Sequence, residues 1–162
     1  MKDKPNKYAK RIRLKDFTYT GCYRYFITLH CHGQADHFTN GNSVTAISST
    51  LKKTAEQEDF HVWAYCFMPD HLHLLVEGKT RDADMRRFVF IVKQKTAFQF
   101  KRLCGARLWQ PNYYERVLRN DEATSTVARY ILENPVRKGI TDDYAQYPYS
   151  GSFEVTNLTQ IV

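Results

Sequence analysis

An α+β fold is what this sequence predicts, and three observations predict it. Two runs rich in aromatic and β-branched residues, Cys22–Cys31 and Phe60–Met68, read as strands. Two stretches with apolar residues at three- and four-residue spacing, 44–58 and 82–103, read as helices. A Pro69-Asp70 turn joins Phe60–Met68 to a third apolar run, His71–Val76, as a hairpin. With one more strand before the C-terminal third, the order becomes strand, helix, strand, strand, helix, strand. That is the ferredoxin-like βαββαβ order: one antiparallel sheet with two helices on one face. An additional helix follows toward the C-terminus.

Residues 1–20 are charged, with few periodic apolar positions, and read as a basic arm. The domain itself spans 21–152. Gly33 to Gly41 is a loop, and Ser43 is the expected cap of the first helix, whose stripe is Val44, Ile47, Leu51 and Ala55. Asp82 or Asp84 opens the second helix, with apolar positions Phe88, Ile91, Val92, Ala97, Phe98 and Leu103, and Cys104-Gly105 closes it. Leu108 to Leu118 supplies the fourth strand. Asn120 is the expected cap of the third helix, with Asp121 and Glu122 in its first turn, where negative charge suits the helix dipole. That helix runs Thr124 to Glu133 and stops at Asn134-Pro135, since a residue before proline avoids the α region. Residues 153–162 form a polar C-terminal tail.

A chain of 162 residues is enough for one domain with a proper core. No apolar run approaches the roughly 20 residues of a membrane span, and the basic N-terminus lacks a following apolar segment, so a cytoplasmic protein without a membrane partner is expected. Cys22, Cys31, Cys66 and Cys104 show no CxxC pairing and read as reduced thiols. Lys+Arg 24 against Asp+Glu 17 gives a net charge of +7. Residues 1–15 hold seven basic side chains against Asp3 alone. The stretch 85–114 holds Arg86, Arg87, Lys93, Lys95, Lys101, Arg102 and Arg107 and no acid. Two acid-poor basic zones point to a polyanion, most economically nucleic acid, against the simpler alternative of a solvated basic face.

The run Phe67-Met68-Pro69-Asp70-His71-Leu72-His73-Leu74-Leu75-Val76 carries the chemistry. Residues two apart on a strand share a face, so His71 and His73 point one way while Leu72, Leu74 and Val76 point the other. Two imidazoles side by side suit a divalent metal; a bare HxH is a weak motif, and on spacing alone an exposed strand face that happens to carry histidines is the commoner case. His30-Cys31-His32 repeats the pattern at the end of the first strand. On the third helix, Tyr130 and Asn134 are four apart and fall on or beside the docking stripe Ala123, Val127 and Ile131. Tyr113 and Tyr114 are adjacent on a strand, so only one of them can face any given side.

Three motifs in order then match a family. They are Met68-Pro69-Asp70-His71-Leu72-His73; Trp109-Gln110 through Tyr113-Tyr114-Glu115-Arg116-Val117-Leu118-Arg119-Asn120; and Tyr130-Ile131-Leu132-Glu133-Asn134-Pro135-Val136-Arg137-Lys138-Gly139. Tyr147-Pro148-Tyr149-Ser150 closes the match. The chain resembles the REP-associated tyrosine transposases, single-tyrosine transposases of the HUH endonuclease superfamily, over about residues 20–152. The resemblance implies His71, His73 and Asn134 as metal ligands, Tyr130 as nucleophile, and a divalent ion, Mg²⁺ or Mn²⁺, as cofactor. It implies cleavage and rejoining of single-stranded or hairpin DNA through a 5′-phosphotyrosine, by a monomer or a homodimer. Arg86, Lys93, Lys95, Lys101 and Arg102 then become the DNA-binding surface. Two other readings remain: a catalytically inactive, host-recruited protein that recognises repeat hairpins, and an RNA-binding ferredoxin-like module. The latter leaves His71, His73 and the Tyr-Asn spacing without a role.

Overall fold

The computed structural model describes residues 14–120 and 122–162. Most of the expected basic arm, and Asp121, lie outside the described residues. The elements that frame the site are β1 (Arg24–His30), α1 (Gly41–Gln57), β2 (Phe60–Met68), β3 (His71–Gly78), α2 (Met85–Cys104), β4 (Tyr114–Val117), α3 (Thr124–Leu132), α4 (Asn134–Arg137) and β5 (Ser150–Gly151). The sheet order is β4-β1-β3-β2-β5, with every neighbouring pair antiparallel. The first four strands stand in the ferredoxin-like order, as the sequence predicts, and β5 extends the β2 edge.

Strand alternation sorts the core into two layers. Tyr25, Ile27 and Leu29 of β1 and Leu72, Leu74 and Val76 of β3 face α1 and α2, where they meet Ile47, Leu51, Phe88 and Val92. The opposite face carries Leu75 of β3 and meets Val127, Ala128, Ile131 and Leu132 of α3. On β2 a bulge changes the alternation. Val62 pairs with Val76 and Ala64 with Leu75, so Trp63 is the extra residue. Phe60 and Val62 therefore face α1 and α2, while Ala64, Cys66 and Met68 beyond the bulge face α3. The second sheet face is thus half covered by α3. The β1–β3 part of it remains for a site.

Several element ends differ from expectation. The α1 cap is Asn40, whose side chain accepts the Asn42 N–H, and Ser43 lies buried inside the helix. On α2, Asp84 caps as expected, but the inward stripe is Met85, Phe88, Val89, Val92, Thr96 and Phe100. Phe98 and Leu103 are exposed. The β4 strand covers only the end of its predicted run. Trp109 bridges to Cys31, and the Gln110 and Pro111 carbonyls accept from the Lys93 ammonium, which takes this stretch out of the ladder. Ala123, not Asn120, precedes α3, with no side-chain cap. The chain does not leave the helical region at Pro135. After Glu133 it resumes as α4, with proline in the first turn, where a missing N–H costs nothing.

The segments at either end are docked. Residue Tyr19 is buried and packs edge-on to Phe17. Glu154 accepts from the Val62 N–H and pairs with His61 at 2.7 Å. Among the described residues no helix is long and apolar enough to cross a membrane.

Candidate active site

His71 and His73 project from β3 onto the α3 side of the sheet, and their Nε2 atoms lie 3.1 Å apart. Each ring is held by its other nitrogen. His71 Nδ1–H donates to Asp70 Oδ1 at 2.6 Å, which leaves the lone pair on Nε2. His73 Nδ1 meets the Thr28 hydroxyl at 2.9 Å, from the residue directly across the β1–β3 register. A hydroxyl can donate or accept, so Thr28 serves either tautomer of His73. When His73 carries its proton on Nε2, the imidazole contact is a hydrogen bond. When the proton moves to Nδ1 and is donated to Thr28, both Nε2 lone pairs point into one space.

Burial pushes His73 down to about 3, with further lowering by His71, His30 and Arg137. The ring is therefore neutral at physiological pH, the state a metal ligand needs. Adjacent ligands of an octahedral ion with bonds of about 2.1 Å stand about 3 Å apart; the imidazole nitrogens already have that spacing. Partners on the far nitrogens, a carboxylate and a hydroxyl, are the kind that orient ligating histidines. Among the described residues no group of three or more His, Cys, Asp and Glu could hold a metal.

The helical side supplies the remaining expected residues. Asn134 is buried, at the start of α4. Tyr130 is 52% exposed, so its ring lies beside the docking stripe rather than in it. Phe26 links the two halves. Its ring stacks on His73 at 5.4 Å and meets Tyr130 edge-on at 6.0 Å. The Arg137 guanidinium lies 4.2 Å over the Tyr130 ring and donates to the Tyr130 carbonyl.

Of the two histidines at the end of β1, His30 stands opposite His71 in the register, with ring centres 5.5 Å apart. Burial lowers its pKa, and His71 adds to the effect. His32 is exposed at the start of a short turn. Tyr114 faces the site side against Phe26 at 5.8 Å; Tyr113 packs toward the other layer. Thr28 and Phe26 lie outside the motifs, while Asp70 and Arg137 lie inside two of them without a role assigned from sequence. Asp70 directly precedes His71 in the turn, so adjacency alone points to it.

The basic residues of α2 stand on the opposite sheet face and do not act as one surface. Arg86 and Lys93 line a groove between α2 and the segment 107–113. The half-buried Lys93 ammonium is committed to the Gln110 and Pro111 carbonyls, each at 2.7 Å, and burial, with Arg107, lowers it to about 8. Lys95 donates to Gln57 of α1. Lys101 is exposed, and the Arg102 guanidinium lies 5.8 Å from the Phe98 ring centre.

The sheet thus carries a pair of imidazoles on the face that α3 half covers, with the Tyr130 ring reached from His73 through Phe26. The chain belongs to the IS200-like transposases, whose family description matches residues 22–134, and so to a family of enzymes that act on DNA. A Haemophilus influenzae protein provisionally named a REP-associated tyrosine transposase is 26% identical over 147 residues, covering 84% of this chain and 82% of its own length. The REP-associated tyrosine transposase of Escherichia coli K12 is 27% identical over 99 residues, covering 60% of this chain and 58% of its own. A solved REP-associated tyrosine transposase bound to a REP hairpin superposes with a TM-score of 0.69 at 22% identity, covering 86% of this chain and 82% of that one.

Proposed function

We propose that the protein is a metal-dependent nickase and strand transferase of single-stranded, hairpin-forming DNA, with Tyr130 as its nucleophile. The observation that carries this reading is the imidazole pair, with Nε2 atoms 3.1 Å apart and both Nδ1 atoms engaged. His71, His73 and the amide oxygen of Asn134 would hold Mg²⁺ or Mn²⁺. A divalent ion held by neutral ligands polarises a phosphodiester and fixes it for in-line attack. The hairpin as substrate is supported by the bound state of the fold neighbour.

Tyr130 does the covalent work. Its phenol oxygen attacks the phosphorus and gives up its proton; the new O–P bond forms as the P–O3′ bond breaks. The departing 3′ oxygen takes up a proton. The products are a 5′-phosphotyrosine and a free 3′-OH. Attack by another 3′-OH on that phosphotyrosine reverses the step and joins strands without outside energy. Arg137 holds the Tyr130 ring from above and brings a fixed positive charge to where the phosphate must arrive. Phe26 supports the same ring from the side.

Protein incubated with Mn²⁺ and a hairpin oligonucleotide is expected to form an adduct that survives denaturation. Tyr130→Phe abolishes it. An adduct formed by that variant would move the nucleophile elsewhere. Tight hairpin binding with no adduct in either metal would favour the inactive, host-recruited reading.

A further inference from the structure

We propose that the outward ridge of α2, with the groove between α2 and the segment 107–113, docks an acidic amphipathic helix of a partner protein. The ridge stands on the α1 and α2 side of the sheet, opposite the face that carries the imidazole pair, so a protein seated on it leaves the candidate active site open.

Phe90 and Phe98 are 65% and 66% exposed. With Gln94 and Lys101, also exposed, they recur every three or four residues and form one ridge about 16 Å long. Beside it runs a groove of about 470 Å³ whose apolar lining includes Val89, Phe90, Ala97, Trp109, Pro111 and Tyr113. A single exposed aromatic is ordinary; two on one ridge beside an apolar groove make a patch that a solvated helix does not need. A straight ridge with a groove alongside suits a helix that sets apolar residues at i, i+4 and i+7 against it.

Charge selects the partner. No acid occurs between 85 and 114. From Arg86 to Lys95 the cations are already engaged. Arg86 lies 5.7 Å from the Tyr19 ring centre, and Arg87 pairs with Glu58 at 2.7 Å. Lys93 donates to the Gln110 and Pro111 carbonyls, and Lys95 to Gln57. Lys101, Arg102 and Arg107 follow Phe98 and are exposed, and the Arg102 guanidinium lies 5.8 Å from the Phe98 ring centre. Carboxylates next to apolar anchors complement that end of the ridge. A DNA strand carries a charge at every nucleotide and needs cations along the whole ridge. A second copy of the chain would bring the same charge of +7 to the interface.

The probe is a displayed library of short helical peptides with leucine at i, i+4 and i+7 and a mixture of Glu and Lys elsewhere, selected on the full chain without DNA or metal. Acidic peptides should be enriched. Phe90→Ala and Phe98→Ala should each weaken the selected peptide by about tenfold or more in fluorescence anisotropy; both side chains are exposed, so the fold survives their loss. Lys101→Glu combined with Arg107→Glu should turn the selection toward lysine-rich peptides. No enrichment, enrichment of basic peptides, or binding that both alanine variants retain overturns the proposal. So does a hairpin oligonucleotide that displaces the peptide and binds Phe98→Ala more weakly, which would assign the ridge to nucleic acid. Self-association in sedimentation that Phe98→Ala abolishes would assign it to a second copy of the chain and overturn the proposal too. Because peptide binding is read without DNA or metal, a missing adduct would defeat the nucleophile and leave the ridge standing.

Discussion

Thr28 sits across from His73 in the β1–β3 register, and its hydroxyl meets His73 Nδ1 at 2.9 Å. When Thr28 accepts the Nδ1 proton, the His73 lone pair stands on Nε2. Thr28→Val keeps the shape and removes the partner. It should weaken Mn²⁺ binding by about 10- to 100-fold, read by isothermal titration or by the Mn²⁺ paramagnetic resonance signal. Unchanged affinity would mean that Thr28 does not orient His73 for the metal. Arg137 works on Tyr130 through its ring and its carbonyl. Arg137→Gln should slow single-turnover adduct formation by about tenfold or more, with hairpin affinity and melting temperature unchanged. Arg137→Lys should restore little, since an ammonium lacks the flat guanidinium that stacks on the ring. A fall in melting temperature that accounts for the whole effect would reduce Arg137 to a structural role.

At the scale of elements, the placement of α3 depends on a residue from the other side of the sheet edge. Arg24 of β1 donates to the Glu122 carbonyl and the Thr124 hydroxyl, both at 2.7 Å, and to the carbonyls of Arg119 and Asn120. Ala123 has no side chain with which to cap the first N–H groups of α3; Arg24, a donor only, instead ties down the carbonyls of the segment that leads into the helix. Arg24→Ala leaves these acceptors without their charged donor. It should lower stability by about 2 kcal/mol in urea unfolding and slow the adduct reaction as the start of α3 loosens. If stability holds, α3 is fixed by its apolar stripe alone. The β2 bulge has a related role. By inserting Trp63 it turns Ala64, Cys66 and Met68 toward α3, which is how one strand contributes to both cores.

For the whole molecule, two layers of packing on one sheet leave a test in the thiols. Cys31 and Cys66 are buried and Cys22 and Cys104 exposed. Burial pushes the Cys31 thiol up to about 12, with Asp70 adding to the effect, and pushes Cys66 to about 12 despite Arg137. In the folded protein these two groups keep their protons at pH values where an unfolded chain has lost them. Stability is therefore undiminished by them at neutral pH and falls as pH rises through the window from about 9 to 12. Alkylation at mildly alkaline pH should modify Cys22 and Cys104 rapidly and the other two only on unfolding. Rapid loss of all four thiols would contradict the two-core arrangement.

The sequence by itself determined the strand and helix order, because alternation and helical spacing are local properties that survive without the fold. It also placed His71 and His73 on one face, since strand geometry alone puts residues two apart together, and it separated Tyr113 from Tyr114 by the same rule. The family resemblance, carried by three motifs in order, agreed with the family found. What tertiary structure decided was whatever depends on a partner distant in sequence. Thr28 and Arg24 act across strands or loops, Arg137 reaches back over Tyr130, and His30 joins the imidazoles only through sheet register. The acid-free run 85–114 looked like one surface, yet its cations divide among a groove, two backbone carbonyls and the α1 side. A charge count records sign and number, whereas a helix of 3.6 residues per turn sends neighbours in sequence to different faces.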